Sequence, residues 1–308
     1  MKYHLAPVQG HTDQAYRHFH NMVYNTQIEY YTPFIRWEKE GVRKRDMADA
    51  FGELNSPQGV VPQIIFKNET ELRNLVETLI EAGAKRIDLN MGCPFPLQTA
   101  RGRGAAAICN HSLAEEIAKI VNSHPEINFS VKMRLGLKEE NEWENLLEIL
   151  NTIPLTHITL HPRIARQQYG GEINIEAFRR FVEKSKNKVI YNGDITSPED
   201  VEDIKLQFPE LENVMIGRGV LGRPSLFNEI SEGKEWSREE RIDKMLEFHR
   251  LLLRHYSNTL IGGEHQILSK IKPFWEYAEE EIGRKSWKSI KKATNMAKYN
   301  SAVATIMR

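Results

Sequence analysis

A cysteine in a tight turn is the first residue of this sequence whose position could support chemistry. Cys93 lies in the segment LNMGCPFP, just past an apolar run, and the flanking Gly92 and Pro94 favour a turn. The alternative is an ordinary small buried hydrophobic residue. The strand-end position favours a functional thiol for Cys93, whereas Cys109, which ends the apolar run AAAIC, is predicted to lie in the core.

Two pairs of cationic or polar-ring residues end later apolar runs. Lys132 and Arg134 lie in the run that ends VKMRLG, and His161 and Arg163 lie in the run that ends LHPR, so the members of each pair are two residues apart. Residues two apart on a strand face the same side. A lysine that points into a protein interior is costly unless it meets an anion or takes part in chemistry. These residues therefore indicate a site for an anionic or polar ligand.

Glycine-rich turns end two further apolar runs, at Asn192-Gly193 and at Gly217-Arg218. Backbone N–H groups of glycine turns, with an arginine beside them, are typical of phosphate sites. The segment RGRGAAA at residues 101–107 is equally consistent with a loop that contacts phosphate and with a solvated loop. The residues alone predict a phosphate-bearing ligand and leave open whether it is flavin mononucleotide (FMN) or a sugar phosphate.

The apolar runs that carry these residues alternate with amphipathic segments. Eight runs are predicted strands, at residues 3–8, 28–32, 60–66, 86–90, 129–133, 157–161, 188–192 and 213–217. Helices are predicted at residues 69–82 and 112–122, the latter with Ser112 as N-cap and Glu115 completing a capping box, and after Ser197. Eight strands that alternate with helices predict a (β/α)₈ TIM barrel, whose site lies at the carboxyl ends of the strands.

The barrel is predicted to occupy residues 1–230, and residues 231–308, which lack strand candidates, are predicted to form a small all-α domain. Hydrophobic residues make up 40% of the chain and charged residues 27%, which is typical of a globular protein. No segment approaches the length of an apolar membrane helix, and the first residues do not resemble a signal peptide. We therefore expect a cytoplasmic protein, a monomer, with no metal and no membrane contact.

The charge of the chain is balanced overall but uneven along it. The 42 basic residues equal the 42 acidic ones, which by itself disfavours a nucleic-acid partner. From residue 283 to the end, however, there are seven basic residues and no acidic one. Five of them have the spacing of one helix face: Arg284, Lys285, Lys288, Lys291 and Lys292. This face is a candidate contact for RNA phosphates, and a solvated lysine face is the alternative.

Taken together and in order, the segments LAPVQGHTD, PQI, IDLNMGCPFP, GRGAAAI, VKMRLG, ITLHPRIARQQYGG, YNGDI and VMIGRGVLGRPSLF resemble the tRNA-dihydrouridine synthase family. The resemblance runs from about residue 5 to residue 227. It implies a flavin-binding barrel with a C-terminal helical domain. It also implies reduction of the uracil C5–C6 double bond in tRNA, with FMN as cofactor and NADPH or NADH as reductant.

The resemblance also implies roles for individual residues. The proton donor falls on Cys93, and Asn90 matches an asparagine that contacts the target base. The flavin contacts fall on Pro7, Gln63, Lys132, His161, Asn192, Gly193, Gly217 and Arg218. The chain departs from the usual family pattern at Pro162, beside Arg163, and at Arg223-Pro224-Ser225. The change at Pro162 leaves the role of Arg163, a candidate substrate contact, the least defined.

Three other functions remain open from the sequence. The first is a flavin-dependent barrel that reduces a double bond in a small molecule. The second is an aldolase that forms a Schiff base through Lys132 and binds a sugar phosphate at the glycine-rich turns. The third is an RNA-binding module without activity. Turnover without tRNA would indicate the first, and flavin absorbance of the purified protein would exclude the second.

Overall fold

The computed structural model describes residues 1–55 and 59–306. Arg308, the last of the basic residues near the C-terminus, lies outside the described residues. Within them ten strands occur: β1 (Lys2–Leu5), β2 (Ile28–Tyr30), β3 (Ile35–Glu38), β4 (Gly41–Val42), β5 (Gln63–Ile65), β6 (Arg86–Met91), β7 (Asn128–Gly136), β8 (Ile158–Ile164), β9 (Val189–Tyr191) and β10 (Asn213–Ile216). All eight predicted strands are confirmed.

Fifteen α-helices occur in the same described residues. They are α1 (Gln14–Tyr24), α2 (Lys44–Phe51), α3 (Glu69–Glu81), α4 (Pro96–Thr99), α5 (His111–Ser123), α6 (Trp143–Leu150), α7 (Ile175–Lys184), α8 (Pro198–Gln207), α9 (Arg218–Gly222), α10 (Leu226–Glu232), α11 (Arg238–Thr259), α12 (Gly263–Ile271), α13 (Glu279–Ile282), α14 (Arg284–Lys292) and α15 (Met296–Val303). Three 3₁₀ helices cover Gly104–Cys109, Ala165–Gln167 and Lys272–Trp275.

The strands form one sheet in the order β2-β1-β10-β9-β8-β7-β6-β5-β3-β4. Tyr31, which follows β2, forms a parallel bridge with Val61, two residues before β5. Because this bridge joins the β2 end of the row to the segment that leads into β5, the eight strands β1, β2 and β5 to β10 close into a barrel. The predicted (β/α)₈ fold is confirmed. The antiparallel pair of β3 and β4 is an addition that the sequence patterns did not predict.

Helix starts follow local capping chemistry. Ser197 caps α8, as predicted, and its side chain and that of Asp200 form a capping box that was not predicted. The predicted start at Ser112 is wrong: α5 begins at His111, and the Asn110 side chain accepts the hydrogen bond from the Leu113 N–H. Asparagine caps helices as well as serine does, so the earlier of the two candidates is used.

The chain divides into two compact units that are each discontinuous in sequence. The first comprises Met1–Pro7, Glu29–Gly193 and Glu210–Met215, and it contains the strands apart from single end residues of β2 and β10. Its centre includes a buried cluster drawn from different strands or the residues beside them: Ala6, Tyr31, Val61, Ile190 and Met215. This cluster marks the face of each strand that points into the barrel.

The second unit comprises Val8–Ile28, Asp194–Pro209 and Ile216–Arg308. In it the Tyr16 and Phe248 rings lie edge to face, 4.9 Å apart. A buried hydrogen-bond chain joins His249 Nε2 to the Tyr299 hydroxyl, which also accepts from Trp275 Nε1–H at 2.8 Å. After β10 the described residues contain helices and no strand, as predicted for the C-terminal part. The boundary between residues 230 and 231 stays a prediction.

No helix in the described parts of the chain combines the length and the apolar character needed to cross a membrane.

Candidate functional site

Polar side chains form successive layers inside the barrel of the first unit. The strand register pairs Gln63 with Asp88 and Asp88 with Ser130. The next layer pairs Asn90 with Lys132, and Lys132 with Thr159; the last pairs Arg134 with His161. Thr159 is in turn level with Ile190 of the interior cluster, so these layers face the barrel centre. Barrel interiors are usually filled by branched apolar residues, so polar layers here indicate a binding site.

Asp88 is at the base of this polar region and was not singled out from the sequence. Its carboxylate accepts hydrogen bonds from Ser130 Oγ at 2.6 Å and from Gln63 Nε2 at 2.7 Å. Burial raises the pKa of Asp88 to about 6, even though both donors favour the charged form. Its position two residues before Asn90 on β6 is the signal that could have revealed it, because both then face the interior.

Asn90 connects this base to the Cys93 turn. Its Nδ2 donates to Gln63 Oε1 at 2.7 Å. Its Oδ1 accepts from the backbone N–H groups of Gly92 at 3.1 Å and Cys93 at 2.9 Å. Asn90 thereby fixes the orientation of the turn, a function that the family resemblance did not include.

Cys93 is held from both sides of its backbone. Its carbonyl accepts from the Ala105 N–H at 3.1 Å. Gly104 has a φ of +61°, and a Cβ at this position would lie 2.6 Å from the Cys93 carbonyl oxygen and 2.8 Å from its Cβ. Only glycine permits both this conformation and this close approach. The 3₁₀ helix Gly104–Cys109 therefore packs directly on the cysteine.

The Cys93 thiol is mostly buried, and its charge state is set by that burial. Burial raises its pKa above the ordinary thiol value, while the Phe95 backbone N–H, Arg134 and Lys132 act in the opposite direction. The net direction is upward, so the thiol is protonated at neutral pH. This arrangement suits a proton donor more than a nucleophile.

Lys132 is the central cation of the polar layers. Its Nζ donates to Asn192 Oδ1 at 2.8 Å, and Asn192 Nδ2 donates to the Met215 carbonyl at 2.7 Å. Burial, with a further contribution from Arg134, lowers the pKa of Lys132 to about 8. A negative charge that enters the site would therefore stabilise the charged form of Lys132.

Arg134 was placed beside Lys132 by spacing alone, and it is buried in the structure. It donates from Nε to the Gly92 carbonyl at 3.1 Å and from Nη1 to the Ile164 carbonyl at 3.0 Å. Its guanidinium carbon lies 5.4 Å from the centre of the Tyr169 ring, half of which is exposed. Arg134 therefore ties the cysteine turn on β6 to the end of β8.

His161 and Arg163 lie together, as their spacing predicted. Arg163 Nη1 is 3.2 Å from His161 Nε2, and its Nη2 donates to the Gly171 carbonyl at 2.7 Å. Between Arg134 and Gly136 the register of β7 against β8 shifts, because β8 has one additional residue there. Pro162 lies within this irregularity and has no N–H to donate to the sheet, which gives a physical reason for the shift.

The segment RGRGAAA has an internal structural role. Arg103 is buried and forms a bidentate ion pair with Glu71, at 2.7 and 3.1 Å. Its Nη2 also donates to the Trp37 carbonyl. This pairing anchors the segment that presses on Cys93.

The prediction that Cys109 lies in the core is wrong. Cys109 is exposed, at the end of the 3₁₀ helix, and its neighbours include Glu142 and Leu137. The apolar run AAAIC does bury Ala105, Ala107 and Ile108. The helix ends at the cysteine and leaves it at the surface.

Among the remaining predicted flavin contacts of the first unit, Pro7 follows β1 and is partly exposed. Gly193 follows β9, and a Cβ there would lie 2.7 Å from Ile173 Cδ1. The first unit therefore contains Pro7, Gln63, Lys132, His161, Asn192 and Gly193 of the predicted flavin set.

Gly217 and Arg218 belong to the second unit, where Gly217 precedes α9. Arg218 Nη2 donates to Asp194 Oδ1 at 2.8 Å, and Asp194 has a φ of +39°, which is unusual for a residue other than glycine. A Cβ on Gly219 would clash with the Ile195 carbonyl. The turn is therefore tightly packed, with an arginine at its edge.

The predicted basic face is confirmed as a helix, α14, whose five cations are all exposed. Ser286 and Ile290 form its buried side. Arg284 and Lys285 lie in the first turn, where the helix dipole disfavours positive charge. Helix stability therefore does not account for these two cations.

Across residues 1–55 and 59–306 no group of three or more His, Cys, Asp and Glu side chains is arranged to hold a metal ion.

A family model described as dihydrouridine synthase (Dus) matches residues 4–306 of the chain. The chain belongs to the dihydrouridine synthase family. The match includes both compact units, although the sequence segments that carried the resemblance ended near residue 227.

Individual relatives extend the comparison. The tRNA-dihydrouridine synthase B of Pseudomonas putida is 27% identical over 257 residues, which cover 82% of this chain and 74% of the relative. The protein of the same name in Shewanella oneidensis is 25% identical over 270 residues, covering 85% and 81%. A protein of Bacillus subtilis named probable tRNA-dihydrouridine synthase 2 is 27% identical over 266 residues, covering 82% and 78%.

Solved structures share the fold at low sequence identity. The old yellow enzyme from Trypanosoma cruzi gives a TM-score of 0.53 at 8% identity, covering 77% of this chain and 89% of that one. Histamine dehydrogenase from Rhizobium sp. 4-9 gives 0.53 at 14% identity; 76% of this chain is covered but only 46% of that chain. These similarities support the barrel and no more.

One departure of this Dus chain from the usual family pattern has a local explanation. Arg223 forms an ion pair with the buried carboxylate of Glu229 and a second with Glu235 at 2.8 Å. Ser225 Oγ donates to Glu229 Oε1 at 2.6 Å. Arg223 thus balances the charge of the buried Glu229 carboxylate on α10, and Ser225 donates a hydrogen bond to it.

Proposed function

We propose that this protein reduces uridine to 5,6-dihydrouridine in tRNA, with FMN as cofactor and NADPH or NADH as reductant, and that Cys93 is the general acid. The observation that carries the proposal is the Cys93 thiol, which burial keeps protonated while the turn around it is fixed by Asn90 and Gly104. Membership of the dihydrouridine synthase family supports the reaction class over a Schiff-base aldolase.

The residues present fit a flavin. Lys132 Nζ has three N–H donors, and the hydrogen bond to Asn192 is the one found for it among the described residues. The remaining donors and its positive charge suit the electron-accepting edge of a flavin ring. Gln63, held by Asp88 and Asn90, offers an oriented amide. We infer that Pro7, Gln63, Lys132, His161, Asn192 and Gly193 bind the flavin, and that Gly217 and Arg218 contact its phosphate.

When bound, the flavin would supply a hydride to one carbon of the uracil C5–C6 double bond. Cys93 donates its proton to the other carbon, so that one hydride and one proton together saturate the bond. A positioned general acid typically accelerates such a step by about 10²- to 10⁴-fold. The positive charges of Arg134 and Lys132 stabilise the resulting Cys93 thiolate until solvent protonates it again.

The other polar residues position the substrate and the acid. Asn90 holds the Cys93 turn through Oδ1, and its Nδ2 is directed to Gln63. We propose that Asn90 also contacts the target base, as its match to the family pattern implies. Arg163, fixed by Gly171 and beside His161, is proposed as a substrate contact.

The α14 face is proposed to bind tRNA phosphates. Lys288, Lys291 and Lys292 lie on its exposed side, and Lys291 Nζ is 4.1 Å from the centre of the Trp287 ring. Changing these three lysines to glutamine should weaken tRNA binding and reduce the slope of log Kd against log salt by about 2–3. Unchanged affinity and salt dependence would remove this face from the proposal.

Mass-spectrometric mapping of dihydrouridine in tRNA tests the activity directly. Cells with the gene should contain dihydrouridine at one or more tRNA positions that remain uridine in cells without it. Identical maps from both would reject the proposed function. The purified protein should also be yellow, and free uridine should not be turned over at a comparable rate, since that would indicate a small-molecule reductase.

A further inference from the structure

Two large apolar side chains beside Cys93 are exposed in this structure. Phe95 is 61% exposed and Leu97 is 67% exposed. Pro94 and Pro96 flank Phe95 and limit the conformations of its backbone. The Phe95 backbone N–H also hydrogen-bonds the Cys93 sulfur. The backbone of Phe95 is therefore restrained next to the proposed proton donor, and its apolar ring is exposed to solvent there.

The loop that carries Phe95 is internally hydrogen-bonded. The Phe95 carbonyl accepts from the N–H groups of Gln98 at 2.8 Å and Thr99 at 3.0 Å. The Gln98 carbonyl accepts from the N–H groups of Arg101 and Arg103, both at 3.0 Å. Because these bonds already order the loop, a partner that binds to it does not pay to order it.

The same loop carries an exposed cation. Arg101 is exposed, and no ion pair to its guanidinium occurs within residues 1–55 and 59–306. An arginine and an exposed aromatic ring on one loop are a combination that suits single-stranded nucleic acids, because the ring can stack on a base and the guanidinium can pair with a phosphate. We name Phe95, Leu97 and Arg101 the loop patch.

We propose that the loop patch binds the nucleotide adjacent to the target uridine: the Phe95 ring stacks on its base, Leu97 extends the apolar contact, and Arg101 contacts its phosphate. The inference rests on the proposed function, since it assigns the partner of the same site. A uridine that leaves the stack deprives its neighbour of a stacking partner. Phe95 replaces that partner, so the patch favours uridines whose neighbours are unpaired.

The test combines Phe95→Ala and Phe95→Trp with a modified tRNA. The tRNA carries an abasic nucleotide on one side or the other of the uridine that mapping identifies. On unmodified tRNA, Phe95→Ala should raise KM about 5- to 100-fold with kcat within about twofold, and Phe95→Trp should restore KM. The abasic tRNA should cost the wild-type protein a similar factor, and Phe95→Ala should add no further loss on it.

Several outcomes would overturn the loop patch. They are an unchanged KM for Phe95→Ala, equal losses on intact and abasic tRNA, or a fall in kcat alone, which would mean that Phe95 only positions Cys93. Leu206→Ala is the matched control, because Leu206 is 81% exposed in the second unit; it should leave KM unchanged. If the wild-type protein forms no dihydrouridine, the proposed function fails. If it does, but the losses from Phe95→Ala and from the abasic tRNA simply add, only this inference fails.

Discussion

Cys93 and Cys109 are both thiols of the first unit whose pKa is raised, but their surroundings differ. Cys93 is mostly buried, has Arg134 and Lys132 as charged neighbours, and is pressed by Gly104. Cys109 is exposed at a helix end, and partial desolvation of its sulfur together with Glu142 raises its pKa. A high pKa alone therefore does not identify a proton donor. Two features distinguish Cys93: its geometry is fixed, and its charged neighbours Arg134 and Lys132 are cations, whereas Cys109 has Glu142 beside Lys138.

Replacing Cys93 with alanine should have the largest effect. We expect dihydrouridine formation to fall about 10²- to 10⁴-fold, the usual contribution of a general acid. Flavin reduction by NADPH, followed by loss of flavin absorbance, should remain unchanged because it does not need the thiol. Full product formation by this variant would rule out the proton-donor role.

Gly104→Ala tests whether the close contact with Cys93 matters. The added Cβ would lie 2.6 Å from the Cys93 carbonyl oxygen, so the turn must move, at a cost of about 1–3 kcal/mol in unfolding free energy. Dihydrouridine formation should fall by about tenfold, since displacement of a catalytic group by about 1 Å can cost more than this.

Gly83→Ala is the matched control for that variant. Gly83 also has a positive φ, +94°, but a Cβ there meets no atom within 4 Å. It should show the backbone strain of about 1–2 kcal/mol without loss of activity. Equal activity losses in both variants would show that Gly104 acts through stability and not through Cys93.

The rates of thiol labelling as a function of pH should also differ between the two cysteines, by less than the activity losses above. Both pKa values lie above the ordinary thiol value, so iodoacetamide should react slowly with both at pH 7 and about tenfold faster per pH unit until the pKa is reached. Cys109 should react several-fold faster than Cys93 because it is exposed. Rapid labelling of Cys93 near pH 6.5, measured by peptide mass spectrometry, would indicate a thiolate and contradict the acid role.

Cys109→Ser should have the smallest effect. The side chain is exposed and is not part of the polar layers, so stability should change by no more than about 0.5 kcal/mol. Dihydrouridine formation should stay within about twofold of the wild type in the same assay. A large loss would show that the end of the Gly104–Cys109 helix transmits an effect to Cys93.

The fold was largely predictable because its signals are local. The apolar runs at residues 86–90 and 129–133 predicted β6 and β7, and Ser197 predicted the start of α8. The pair of β3 and β4 was missed, because strands as short as IRWE and GV carry no clear period. The N-cap of α5 was misplaced by two residues, because Asn110 and Ser112 are both good caps.

The sequence by itself determined which residue types end the strands, and hence the candidates Cys93, Lys132 and His161, because chain direction and strand spacing are encoded locally. Only the tertiary structure decided which of them are held in place. The pairing of Asp88 with Gln63, the contact of Gly104 with Cys93 and the exposure of Cys109 all depend on the packing of segments that the sequence alone does not bring together. Burial sets the pKa values of Cys93 and Lys132 for the same reason, since desolvation is a property of the whole packed barrel.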